Sequence, residues 1–240
     1  MKPTASDIET HKKLIEDTYD TKVTFIETQQ LNTGWIVYSD NDYVYKTWYY
    51  ENTIGHSLNE VHKEFYAYHK SKMLVDYRTF KPYGCIMKLI KIPGVPLRYV
   101  DYKTRIKINL DNFIEWWVKE TVHIHEVGLK LSSVSERFQI PKYSTTKSLM
   151  FTNWPEHIGY VFCFADLNDE NIMYDEKSDT FNFIDFEPIG WMPRDMYWCL
   201  NDAYLILLLE NTFDCKTQGV KASKYLDTVS SELKRRLELV

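Results

Sequence analysis

Three side chains stand where phosphoryl-transfer chemistry would need them. Residues 160–164 form a short apolar run, Tyr160-Val161-Phe162-Cys163-Phe164, and Asp166 lies two residues beyond it. Asn171 comes five residues after Asp166 and opens a second strand-like run. Asp185 lies fourteen residues beyond Asn171, at the end of Phe181-Asn182-Phe183-Ile184. Moving a γ-phosphoryl group from ATP to an alcohol needs one carboxylate that orients the attacking hydroxyl and takes its proton. It also needs an amide oxygen and a second carboxylate that hold magnesium on the phosphates. An Asp-x-x-x-x-Asn loop followed by a strand-end Asp has the kinase spacing of catalytic loop and metal-binding acid. A β-hairpin with ordinary turn acids would account for either half alone, and the two halves at this spacing together favour the chemistry.

The stretch VFCFADLNDENIMYD, followed by FNFIDFEP, resembles the Brenner-type motif and the Asp-Phe-Glu of choline/ethanolamine kinases and aminoglycoside phosphotransferases. Protein kinases carry Asp-Phe-Gly at the second place, so the ending Ile184-Asp185-Phe186-Glu187 is closer to the choline kinase branch. The resemblance is good over residues 160–200 and weak but orderly over 30–128. It implies an α+β, protein-kinase-like two-lobed fold, with a small β-rich lobe for ATP and a helical lobe with the catalytic loop, metal site and acceptor pocket. It also implies Asp166 as the base, Asn171 and Asp185 as Mg2+ ligands, and a small-molecule alcohol as acceptor. One position departs from the pattern. The family usually has His and then Asn or Gly before the catalytic Asp, where this chain has Phe164 and Ala165. That His mostly braces the loop, so a phenylalanine could pack in its place. A pseudokinase that binds nucleotide without turnover is the competing reading. A protein kinase is disfavoured by the Asp-Phe-Glu ending and by the lack of an obvious Ala-Pro-Glu segment after it.

ATP also needs a cation on its α and β phosphates, and Val44-Tyr45-Lys46-Thr47-Trp48 supplies a lysine inside an apolar strand. An unpaired charge there would be costly, unless the strand is an edge and the side chain reaches solvent. Glu60 and Glu64 are the candidate partners. Glu60 already completes a capping box with Ser57, whereas Glu64 lies one turn on, beside Val61, Phe65 and Tyr68, so Glu64 is chosen. Gln30-Leu31-Asn32-Thr33-Gly34-Trp35 sits where a phosphate loop would, with Gly34 as its lone glycine, and a plain hairpin turn explains it nearly as well. Residues 87–97 resemble the strand and turn that meet the adenine edge, which would place the backbone of Lys88 to Ile90 against the base. A core strand ending in a turn predicts the same residues.

The elements that must position these groups follow from periodicity. Residues 22–29, 35–39 and 43–48 read as strands and 57–68 as a helix with a capping-box start; 83–92 is a strand broken by Pro93-Gly94-Val95-Pro96. Residues 110–127 form a helix too apolar for the surface, with Phe113, Trp117, Thr121 and Ile124 on one face. Runs 160–164 and 181–186 are short buried strands, and helices occupy about 196–209 and 222–239. The lobes are expected to be 1–92 and 93–240.

Downstream of Asp185, Trp191, Tyr197, Trp198 and Tyr204 accompany Glu187, Asp195 and Asp202. Aromatic faces with carboxylates would suit a cationic acceptor, although aromatics at this density are more often core. The resemblance gives Asp195 the separate role of anchoring the metal loop. His123 and His125 lie two apart on a helix and point away from each other, so they make a poor metal pair. A formal net charge of −5 disfavours nucleic acid as the main partner. The amino terminus lacks an apolar leader, and 203–209 is too short to cross a bilayer. Four scattered cysteines without a CxxC pair suit reduced thiols, so a cytoplasmic globular protein without membrane insertion is expected.

Overall fold

The computed structural model describes residues 4–26, 35–49, 65, 68–69, 72–80, 84–134, 159–185 and 189–237. The chain divides into two compact units, Met1–Ile92 and Pro93–Val240.

In the first unit, helix α1 (Ala5–Tyr19) starts at a capping box. The Thr4 hydroxyl accepts from the Asp7 N–H, and the Asp7 carboxylate accepts from the Thr4 N–H at 2.8 Å. The sheet contains β1 (Thr24–Ile26), β2 (Trp35–Ser39), β3 (Tyr43–Tyr49), β4 (Leu74–Phe80) and β5 (Gly84–Ile90), in the order β1-β2-β3-β5-β4. Every neighbouring pair is antiparallel. The β2–β3 turn forms because Asp40 Oδ1 accepts from the N–H groups of Asp42 and Tyr43 at 2.9 and 2.7 Å. Ile15 of α1 packs with Val23, Ile36, Tyr38, Tyr45 and Ile86, so α1 covers one face of the sheet. Strand alternation then assigns Lys46, between Tyr45 and Thr47, to the other face. Neither α1 nor β4 was expected. α1 fully buries only His11 and Ile15 and its stripe of Ile8, Ile15 and Tyr19 is sparse, while β4 is an edge strand with no fully buried position.

The second unit is built on α2 (Leu110–Val134), which extends the expected helix. Phe113, Trp117, Thr121 and Ile124 are all buried. The helix lies so close to β7 (Tyr160–Phe164) that a Cβ on Gly128 would stand 2.0 Å from the Phe162 ring. β7 pairs antiparallel with β10 (Ile189–Pro193). A second small sheet has the order β6-β8-β9, from β6 (Val95–Pro96), β8 (Ile172–Asp175) and β9 (Thr180–Phe183). Gly94 lets β6 reach β8: its φ is +97°, and a Cβ there would stand 2.1 Å from the Tyr174 carbonyl oxygen. Helices α3 (Arg194–Leu207) and α4 (Ala222–Leu237) complete the unit, with a π-helical turn, Leu208–Thr212, continuing α3. Asn201 of α3 is fully buried and is satisfied by the Trp117 indole N–H at 3.0 Å, which ties α3 to α2. Among the described residues no helix is long and apolar enough to cross a membrane.

Candidate active site

Asp166, Asn171 and Asp185 come together because three strand ends meet. Asp166 follows β7, Asn171 precedes β8 and Asp185 follows β9. The β8–β9 hairpin pairs Ile172 with Phe183, and the Ile184 N–H then donates to the Asn171 carbonyl at 2.9 Å. This extension of the ladder sets Asp185 beside Asn171. The backbone turns sharply at Asp185, with φ of +63°, a left-handed conformation that Asp tolerates better than most residues. Such conformations cost energy and gather at functional sites.

Asn171 is 8% exposed and reaches back to Asp166. Its Nδ2 donates to the Asp166 carbonyl at 3.0 Å and to Asp166 Oδ2 at 2.9 Å. Asn168 Nδ2 donates to Asp166 Oδ1 at 2.6 Å, while its own Oδ1 accepts from the N–H groups of Glu170 and Asn171. The loop is thus braced by amides, and the carboxylate carries two donors from its own loop. From outside the loop, the Thr212 hydroxyl donates to Asp169 Oδ2 at 3.0 Å, and the Arg98 N–H donates to the Asp169 carbonyl at 3.2 Å. The Arg98 guanidinium also pairs with Glu170.

Both Asn171 hydrogen bonds use its nitrogen, which leaves Oδ1 as a hard oxygen donor, and Asp185 directly follows the Ile184 that bonds the Asn171 carbonyl. Magnesium binds through one or two carboxylates and few protein ligands, taking the rest from phosphates and water. An amide oxygen and a carboxylate are the donor types that Mg2+ takes. Among the described residues no group of three or more His, Cys, Asp and Glu side chains gathers into a fuller cage.

Phe164, at the position where the resembled family has His, is 1% exposed and packs edge-on against Phe183 at 5.4 Å. Thr121, Ile124, Cys163, Leu167 and Tyr197 line the same small apolar space. Burial pushes the Cys163 thiol up to about 12, so it stays protonated. His125 of α2 accepts from the Phe162 N–H at 3.0 Å through Nδ1, which joins α2 to β7. Burial, and then the charge of Arg194, hold its pKa below the usual value.

In the first unit Lys46 is 6% exposed, with its ammonium 5.7 Å from the Tyr68 ring centre. It lies in a central strand, opposite Val37 and Met87; the alternative of an edge-strand lysine reaching solvent is excluded. Glu64, Glu60 and Gly34 lie outside the described residues, as do Phe186 and Glu187.

The reading of Lys88 and Ile90 as backbone contacts to adenine does not fit the sheet. Lys88 is flanked by Tyr45 on one side and Asp76 on the other, and the Ile90 N–H donates to the Met73 carbonyl at 2.8 Å. The Lys88 side chain points to the face that α1 covers, its ammonium 3.9 Å from the Tyr43 ring centre and 5.0 Å from that of Tyr19.

The downstream aromatic cluster also separates. Tyr197 is 1% exposed and belongs to the core, whereas Trp191 is half-buried and packs against Phe162 and His125 at 5.2 and 5.8 Å. Asp202 accepts from Asn201 and Ser230. Tyr204 of α3 instead reaches the Asp166–Asn171 loop, its hydroxyl 3.5 Å from Asp166 Oδ1. No local signal marks that contact, since the two residues are 38 positions apart. Asn168 was also missed, although an Asn two residues after the Asp, ahead of Asp-Glu, is a usual turn signal.

No protein-family model and no curated protein matches this sequence. Solved structures do match. Aminoglycoside phosphotransferase APH(3'')-Id from Streptomyces rimosus is similar, at 12% identity over 96% of this chain and 91% of that one, with a TM-score of 0.55. Its complex with ADP and streptomycin has the same identity and coverage and a TM-score of 0.53. The GDP complex of wild-type aminoglycoside 2'-phosphotransferase-IIIa matches at 12% identity over 97% of each chain, with a TM-score of 0.50. At such identities the likeness establishes the fold. The chain has the α+β, protein-kinase-like fold of the aminoglycoside phosphotransferases, as the sequence motif implied.

Proposed function

We propose that this chain is a phosphotransferase that moves the γ-phosphoryl group of ATP to a hydroxyl of a small molecule. The observation that carries the reading is the Asn171 amide bonded directly to the Asp166 carboxylate, with Asp185 directly following Ile184, which bonds the Asn171 backbone. In this scheme Asp166 accepts the hydrogen bond of the acceptor's hydroxyl and takes its proton as the oxygen attacks. Asn171 has two roles, since its nitrogen orients Asp166 and its oxygen faces the cation. Asp185 supplies the second cation ligand. Mg2+ held there would neutralise phosphate charge. Lys46 would meet the α and β phosphates, with Glu64 as its partner and Gly34 in the phosphate loop.

The fold neighbours are complexed with ADP and streptomycin in one case and with GDP in the other, which supports nucleotide use and a small-molecule acceptor. With Tyr197 in the core, the attraction of a cationic acceptor would rest on the carboxylates of the loop and on the half-buried Trp191 and Trp198. The test is nucleotide consumption by purified protein with Mg2+ and ATP or GTP, screened over choline, ethanolamine, aminoglycosides and neutral sugars. Acceptor-dependent turnover that Asp166→Ala lowers a hundredfold or more, with nucleotide affinity kept, is the expected result. Turnover with neutral sugars only would remove the cationic acceptor. Nucleotide binding without turnover under any acceptor would make the chain a pseudokinase.

A further inference from the structure

Two described hydrogen bonds from the α3 segment end on the catalytic loop, from Tyr204 to Asp166 and from Thr212 to Asp169. Eight residues of regular α-helix would turn about 80° beyond two full turns, so these side chains would diverge. The π-turn Leu208–Thr212, marked by the Phe213 N–H donating to the Leu208 carbonyl at 2.9 Å, widens the last turn and brings Thr212 back into line with Tyr204. Insertions of this kind recur at functional sites. The two amides on the Asp166 carboxylate, from Asn168 and Asn171, belong to its own loop. Among the described residues, Tyr204 is the donor that reaches this carboxylate from another element.

We propose that Tyr204 is a positioning residue for the base: its hydroxyl holds Asp166 Oδ1 against rotation and so presents the carboxylate to the acceptor's hydroxyl, in a register set by the π-turn. The inference rests on Asp166 being the base. It does not make Tyr204 a proton carrier. Burial first, and then the negative charge and hydrogen bond of Asp166, raise the phenol above its usual pKa and keep it neutral.

Two measurements test this. The first needs no turnover. In protein labelled with 13C at tyrosine Cζ, Tyr204→Phe assigns the Tyr204 resonance by its loss, and a pH titration of that resonance is compared between wild type and Asp166→Asn. The midpoint should fall in Asp166→Asn, because one cause of its elevation has been removed. An unchanged midpoint overturns the contact. The second is kinetic, with ATP consumption as the readout. Tyr204→Phe should lower kcat roughly fivefold, less than a short hydrogen bond to a charged group would, because the contact is 3.5 Å long, with nucleotide KM unchanged. On an Asp166→Asn background it should have no further effect. Unchanged kcat, or a loss that multiplies fully on that background, overturns the positioning role alone. Wild-type turnover in Asp166→Asn instead removes the base assignment and this proposal with it.

Discussion

Replacing Asn171 by leucine should separate the bracing of the loop from its shape. The two side chains share the same branched heavy-atom outline, so the substitution removes the polar contacts without emptying the site. The Asn171 nitrogen makes one hydrogen bond to a carbonyl, at 3.0 Å, and one to a carboxylate, at 2.9 Å. A neutral hydrogen bond contributes about 1 kcal/mol and one to a charged group about 1.5–3 kcal/mol. Asp166 is half-buried, so water replaces part of the second, and a net loss of about 2 kcal/mol is expected. For a chain of this size that lowers Tm by roughly 4–8 °C. Turnover should fall much further, a hundredfold or more, because the base is released and a cation oxygen is lost. Differential scanning calorimetry and ATP-consumption rates on the same preparation measure both. Asn171→Asp adds a second arm. It keeps an oxygen for the cation but sets a like charge against Asp166, so added Mg2+ should raise its Tm more than that of wild type. A Tm within a degree of wild type for Asn171→Leu, together with turnover within threefold, would refute the proposed double role of this residue.

Asp185→Asn should abolish transfer while the thermal midpoint stays near wild type, because it removes a cation ligand and no core packing; full activity would end the metal assignment. Phe164→Ala should lower stability by about 3–4 kcal/mol, measured by urea unfolding, because it empties the buried site between Leu167 and Phe183. A loss under 1 kcal/mol would mean that the site collapses onto the missing ring. Stability should also depend on His11 and His125, whose pKa values burial lowers from 6.5. The unfolded chain then binds more protons than the folded one just below that pH, so this stability is present above about 6.5 and is lost as pH falls below it. Melts from pH 7.5 to 5 should show the decline, and the double variant His11→Gln, His125→Gln should flatten it; an equal slope in the variant would assign the decline to other groups.

The loop from Asp166 to Asn171 and the strand end before Asp185 were legible in the sequence because their parts are local. Asp166, Asn171 and Asp185 each follow or precede a short apolar run, and strand ends are readable from such runs. The buried helix of residues 110–134 was legible for a similar reason, since Phe113, Trp117, Thr121 and Ile124 repeat at helical spacing. Alternation could also say that Lys46 and Tyr45 face opposite ways. It could not say which face of the sheet would be covered. That was decided when α1 laid Ile15, with Ile8, Leu14 and Tyr19, against Tyr38 and Tyr45. The same packing turned Lys88 toward Tyr43 and Tyr19 and gave it an aromatic contact in place of a role beside a base. Trp191 was occupied for the same kind of reason, because β10 pairs with β7 and brings it onto Phe162. Tyr204 meets Asp166 only because α3 returns over the catalytic loop, and a contact between residues so far apart in the chain depends on tertiary packing that no local pattern encodes.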